Sequence, residues 1–184
     1  MRCTAVLGNL NDPSYEIVLR RELGGAFETD ELMLDGDEAA GVPLRRMSAR
    51  GRLVEIDRAG ATDPLLDGDV LGVDRAGGMP VVIVARLRVA DVLMVEADRL
   101  DPVALARACW EIGNMHAPLF EGQSDERIAR VVTPAMPGLE HMLGGIPGVR
   151  IERKRAALDQ SRRFTSGATE AVVGLSADFR IVKK

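Results

Sequence analysis

In the stretch GRLVEIDR (51–58), Val54 and Ile56 alternate with Glu55 and Asp57. That period of two predicts a half-buried strand. Downstream, DPLLDGDVLGVD (63–74) carries a turn at Asp67-Gly68-Asp69 followed by a short strand. RAGG (75–78) separates that strand from the apolar run MPVVIVARL (79–87), which predicts a hairpin with a four-residue loop. Ahead of these, FETDELMLDGDEAAG (27–41) is acidic and interrupted by glycine. It lacks the alternating aspartates of a calcium loop, so it reads as a solvated surface loop.

From Val92 the pattern changes. VLMVEA (92–97) is a compact apolar run suited to a buried strand. DPVALARACWEIGN (101–114) opens with Asp101 placed as N-cap and Pro102 at the first helical position. Leu105, Cys109 and Ile112 step by four and three residues, so they form one stripe facing a core. APLFEG and RIARVVTP are short strand candidates around the polar turn QSDE. AMPGLEHMLGGI (135–146) predicts a second helix ending at Gly144-Gly145, and VRIERKR (149–155) a last strand. The order β-α-β-β-α-β is the ferredoxin-like split motif. The fold class expected is therefore α+β, with three parts: a β-rich N-terminal domain over 1–90, a ferredoxin-like domain over 91–157, and a mobile tail over 158–184. The boundary falls near Arg88–Asp91, with no long linker.

Composition narrows the function classes. Hydrophobic residues make up 46% of the chain but aromatics only 3%, so aliphatic and Met side chains must fill the core. No run approaches the ~18 apolar residues of a membrane span. The first sixteen residues hold no continuous apolar block, so no secretion signal is expected. Cys3 and Cys109 stand far apart in different contexts, which suits reduced thiols in a cytoplasmic protein. The formal charge of −4 gives no electrostatic reason for nucleic acid or an anionic membrane as partner. The central strand candidates lack the aromatic pair that stacks RNA bases. Paired acid/base spacing, a phosphate-cradling Gly loop and a Ser-His-Asp order are also missing, so an enzyme is not expected.

The chain has two histidines, and His116 stands in EIGNMHAPLF (111–120). Gly113 marks a helix end, Asn114 tolerates the left-handed conformation that closes one, and Pro118 restricts Ala117 to an extended exit. His116 therefore occupies a stiff corner between helix and strand or, if the helix runs on, the end of the Leu105–Cys109–Ile112 stripe. Three roles are open to it. It can cap the helix carbonyls. It can pair with Cys109 as base and nucleophile, although two helical turns separate them by about 10 Å of rise, too far for direct contact. Or it can bind a metal, since imidazole suits nickel, zinc and copper. One His is far short of a four-ligand site, but an isologous dimer turns it into two at an open, exchangeable position.

The helix, the Gly-Asn-x-His corner and the following Pro-Leu, with LEHMLGGI in the next helix, resemble the UreE urease accessory proteins. So do LLDGDVLGVDRAGGMPVVIVA and VLMVEADRLDPVALARACWEIGNMHAPLF, and AVLGN fits that family's opening strand. The resemblance covers about residues 44–155. It implies a homodimeric nickel carrier for urease maturation that dimerises through a ferredoxin-like domain. It also implies a urease accessory GTPase and the apo-urease complex as partners. By position, the ligand is His116 from each subunit, with zinc or copper as alternative ions at the same site. Two departures matter. Met115 stands where the family has arginine, and the tail contains no histidine, so storage of several ions is not expected.

Other residues carry weaker chemistry. His141 is a second ligand candidate against a plain helix position. Cys109 reads as core before ligand, and Trp110 as a packing group. The basic Glu152–Arg155 run is a solvated edge that resists aggregation, or failing that a docking patch for an acidic partner. The rival function is an adaptor in the urease assembly complex that keeps the fold without the metal.

Overall fold

The computed structural model describes residues 1–41, 43–58, 61 and 63–164. It mixes helices and strands, with the strands in separate sheets. Among the described residues, no helix is long and apolar enough to cross a membrane.

Two sheets form the N-terminal part. In the first, strand β5 (Leu53–Ile56) lies between β1 (Arg2–Cys3) and β4 (Leu44–Met47). The second runs in the order β2 (Gly8–Asn9), β6 (Asp69–Asp74), β7 (Val81–Leu87), β3 (Glu28–Leu34). Val54 and Ile56 are buried, as their alternation requires. They pack with Leu32, Leu34, Ile83 and Ala85 in a core shared by the two sheets. Val82 and Val84, on the opposite face of β7, pack under Leu19 of helix α1 (Pro13–Glu22). A strand covered on both faces explains the unbroken apolar run of MPVVIVARL.

The expected hairpin is present as the antiparallel β6–β7 pair. Its register ends at Asp74 opposite Val81, so the connection spans Arg75–Pro80 and is longer than RAGG alone. Only Gly8 and Asn9 of AVLGN enter a strand.

The acidic stretch 27–41 is a correction: it is not a surface loop. Glu28–Leu34 forms β3, parallel to β7, and Gly36–Ala40 forms the short helix α2. The inward positions of β3 are Asp30, Leu32 and Leu34. Asp30 is buried because its carboxylate accepts from the Ser48 hydroxyl at 2.8 Å, the Arg50 N–H at 3.0 Å and the Arg52 guanidinium at 3.2 Å. A carboxylate so satisfied sits inside without an orphaned charge.

The C-terminal part is one antiparallel sheet. Its order is β11 (Val149–Ala157), β8 (Val89–Asp98), β10 (Ile128–Pro134), β9 (Phe120–Glu121). Helix α3 (Pro102–Asn114) follows β8, and helix α4 (Leu139–Gly144) follows β10. Leu93, Val95 and Val131 on the sheet meet Ala108, Ile112, Leu139 and Leu143 from the helices. Asp101 caps α3 as its position requires, accepting from the Ala104 N–H at 3.2 Å. The centre of the buried stripe is Ala104, Ala108 and Ile112, with Leu105 and Cys109 half-buried beside it. Small residues on that line let the helix settle close to the sheet. Helix α4 is shorter than AMPGLEHMLGGI suggests, because Gly138 takes a left-handed φ of 81° and starts it only at Leu139.

Residues 158–164, the start of the expected tail, dock on the fold through a 3₁₀ turn at Gln160–Arg162. The strand candidates VVGL and FRIV of that tail lie outside the described residues.

A histidine in a left-handed helix cap

Helix α3 ends in a closed hydrogen-bond pattern. The N–H of Met115 donates to Glu111, that of His116 to Gly113 at 2.9 Å, and that of Ala117 to Ile112 at 3.2 Å. The last two bonds, with an apolar contact between Ala117 and Ile112 in one core, define a Schellman cap. The residue at its turning point must be left-handed, and glycine usually fills it. Here His116 does, with φ of 54°, and it is the one non-glycine residue with positive φ among the described residues. The sequence places that conformation at Asn114; the structure corrects this, because Asn114 is still helical. Histidine, with Asn and Asp, is among the side chains that tolerate the region.

These bonds occupy the terminal carbonyls of α3 with backbone donors. The imidazole is thus not needed as a cap, and the ring is exposed. Beyond it, Ala117 is buried and the Pro118 carbonyl accepts from the Thr133 hydroxyl of β10 at 2.9 Å. The corner is therefore held on both sides. Met115 packs partly buried against the C-terminal core.

The outer face of α3 is unusually apolar. Val103 and Trp110 are 58% and 64% exposed, and they line a shallow groove with Pro102, Ala106 and Arg107. At 3.6 residues per turn, Val103, Arg107, Trp110 and Asn114 share an arc of about 60°. That stripe runs directly into the His116 corner. Trp110 is thus a surface group, not the packing residue its type suggests, and its position matters to the site.

The other candidates stand apart from this corner. His141 is exposed in α4. Among the described residues, no three His, Cys, Asp or Glu side chains are grouped to hold a metal ion. Burial pushes the Cys109 thiol up from its usual pKa, which disfavours the thiolate a metal or an electrophile requires. Cys3 is raised for the same reason, partly offset by the N-terminal ammonium. Both cysteines are free. Glu152–Arg155 is exposed on the edge strand β11, where Arg153 pairs with Asp91 at 2.8 Å and Lys154 with Glu152 at 2.9 Å. Much of that positive charge is neutralised within the chain.

A cleft of about 700 Å³ opens at the far end of the C-terminal sheet, lined by Glu96, Asp98, Asp125, Arg127 and Arg150 among others. Arg130 spans Glu96 at 2.6 Å and Asp125 at 2.8 Å. Backbone N–H bonds from Ile128 and Arg127, helped by Arg130, lower the Asp125 pKa to about 2. A carboxylate so committed is a structural acceptor and a poor proton shuttle.

A scan against protein-family models finds no match to the chain, and a search of curated proteins finds none either.

Proposed function

We propose that this chain is a nickel carrier and not an enzyme: a homodimer that holds one exchangeable Ni²⁺ between two His116 imidazoles. It would deliver the ion to apo-urease in the cytoplasm, together with the urease accessory GTPase. The observation that carries this reading is His116 itself. An exposed imidazole occupies a backbone position where glycine is better, at a conformational cost of about 1–2 kcal/mol. The exposed groove around Val103 and Trp110, on the helix that ends at that corner, supports a second copy as the missing half of the site. The order of the four C-terminal strands, with two helices on one face, supports the ferredoxin-like reading of residues 91–157.

Two neutral imidazoles leave most of the coordination shell to water or to the acceptor. That suits a carrier, because handover is then ligand exchange to a better-furnished site. Binding requires unprotonated rings, so affinity falls on acidification. Zinc and copper compete for the same donors, and His141 is a secondary ligand at most.

The test is equilibrium dialysis against Ni²⁺ combined with light scattering. Uptake of one ion per two chains that disappears in His116→Ala supports the carrier. Equal uptake by both proteins, or a monomer at every nickel concentration, removes it. The adaptor reading draws on the exposed Trp110 groove, and it predicts partner binding that survives His116→Ala.

A further inference from the structure

Residues 158–164 touch both halves of the molecule. On one side, Gln160 is buried against helix α2, where a Cβ on Gly36 would come within 2.6 Å of its amide nitrogen. Arg163 adds an ion pair with Asp37 at 3.7 Å, too exposed to hold the segment alone. On the other side, Arg163 forms an antiparallel bridge with Phe120. The Phe164 N–H donates to the Leu119 carbonyl at 2.8 Å. The Asp159 carboxylate accepts from the Ser161 N–H at 2.9 Å and its hydroxyl at 2.6 Å, which stiffens the turn between the two attachments.

Leu119 and Phe120 follow the His116 corner directly, and β9 is the short edge strand of its sheet. We infer that residues 158–164 form a strap that ties α2 of the N-terminal part to the chain leaving His116. The strap adds a further restraint on the chain leaving that corner and so limits its mobility. β9 has only two ladder positions to β10. The strap supplies bonds to its other edge, so without them Pro118–Glu121 opens as a local unit. An event at α2, such as the docking of a partner protein, then reaches the histidine through the Gln160 contact, five residues of chain and the hydrogen bond to Leu119. This inference does not depend on nickel.

Two full-length variants test it. Phe164→Pro deletes the N–H that bonds Leu119, and Arg163 already has the φ of −72° and ψ of 130° suited to a residue before proline. Gln160→Ala removes the contact with α2 while leaving the backbone intact. In both, hydrogen exchange at Leu119–Glu121 should accelerate about tenfold or more, with the β6–β7 hairpin unchanged. Proton NMR gives a second readout, because the chain has only two histidines to resolve. The His116 ring signal should move and the His141 signal stay. Unchanged exchange at Leu119–Glu121, or ring signals that both stay or both move alike, overturns the strap.

Discussion

The N–H of Ala117 reaches back to the carbonyl of Ile112 at 3.2 Å, and both side chains lie in the core formed with Leu93 and Leu143. This pairing forces the residue before Ala117 to turn left-handed, and so decides where the His116 ring projects. It separates two properties that usually fail together. A glycine at 116 satisfies the cap better than histidine, but offers no ligand. His116→Gly should raise stability by about 0.5–1 kcal/mol, the strain relieved less the extra unfolded-state entropy of glycine. His116→Ala should fall at or slightly below wild type. Urea midpoints in the order Gly above His, with nickel uptake lost in both variants, would place the histidine as a functional choice. A glycine variant less stable than wild type would remove the conformational part of the argument.

Thr133 fixes the far side of the same corner. Its hydroxyl is the donor to the Pro118 carbonyl, and the residue is fully buried. Thr133→Val keeps the shape and removes the donor. The carbonyl then loses its partner, at a cost of about 1–3 kcal/mol. The expected result is a lower denaturation midpoint with faster exchange around Ala117–Phe120. An unchanged midpoint would mean that the bond contributes nothing to the corner.

How much of this was readable in the sequence differs from one element to the next. The start of helix α3 was, because an Asp-Pro pair is a local signal that tertiary packing does not override; its Gly-Asn pair is still helical and the cap falls at His116. Helix α1 opens with the same pair, Asp12-Pro13, and Asp12 accepts from the Ser14 N–H at 2.9 Å. Its pattern is nevertheless illegible, because exposed Ile17 and Val18 blur the apolar stripe. Strand β3 was hidden by its acidity, since the partners that make Asp30 a core residue are about twenty positions away. At the candidate site, His116 stood out by its rarity. Its backbone state did not, because the left-handed turn is imposed by a hydrogen bond closed from Ala117. The exposure of Trp110 was also invisible, because residue type alone argues for burial.

Trp110 is the single tryptophan of the chain, which makes its own fluorescence a probe of the α3 face. If a second copy covers that face, nickel or rising protein concentration should shift the emission to shorter wavelength. Trp110→Glu removes that fluorophore, so its arm is read by light scattering, in which the dimer should be lost. Because the side chain is 64% exposed, stability should stay within about 0.5 kcal/mol of wild type. Dimerisation that persists in Trp110→Glu would move the seam elsewhere.

Asp125 supplies a pH test independent of the histidines. Its carboxylate accepts from the N–H of Ile128 at 2.8 Å and of Arg127 at 2.9 Å, and from the Arg130 guanidinium at 2.8 Å. These bonds favour the charged form and lower its pKa from 3.8 to about 2. Because the folded value lies below the unfolded one, the contribution is complete above about pH 4. It declines as the pH falls from there towards 2. The Gly122–Arg127 connection should therefore hold its order at neutral pH and loosen only in strong acid. The amide signal of Ile128 should titrate with a midpoint near 2 in wild type, and the transition should vanish in Asp125→Asn. A midpoint close to 4 would show that the three donors do not hold the carboxylate in solution.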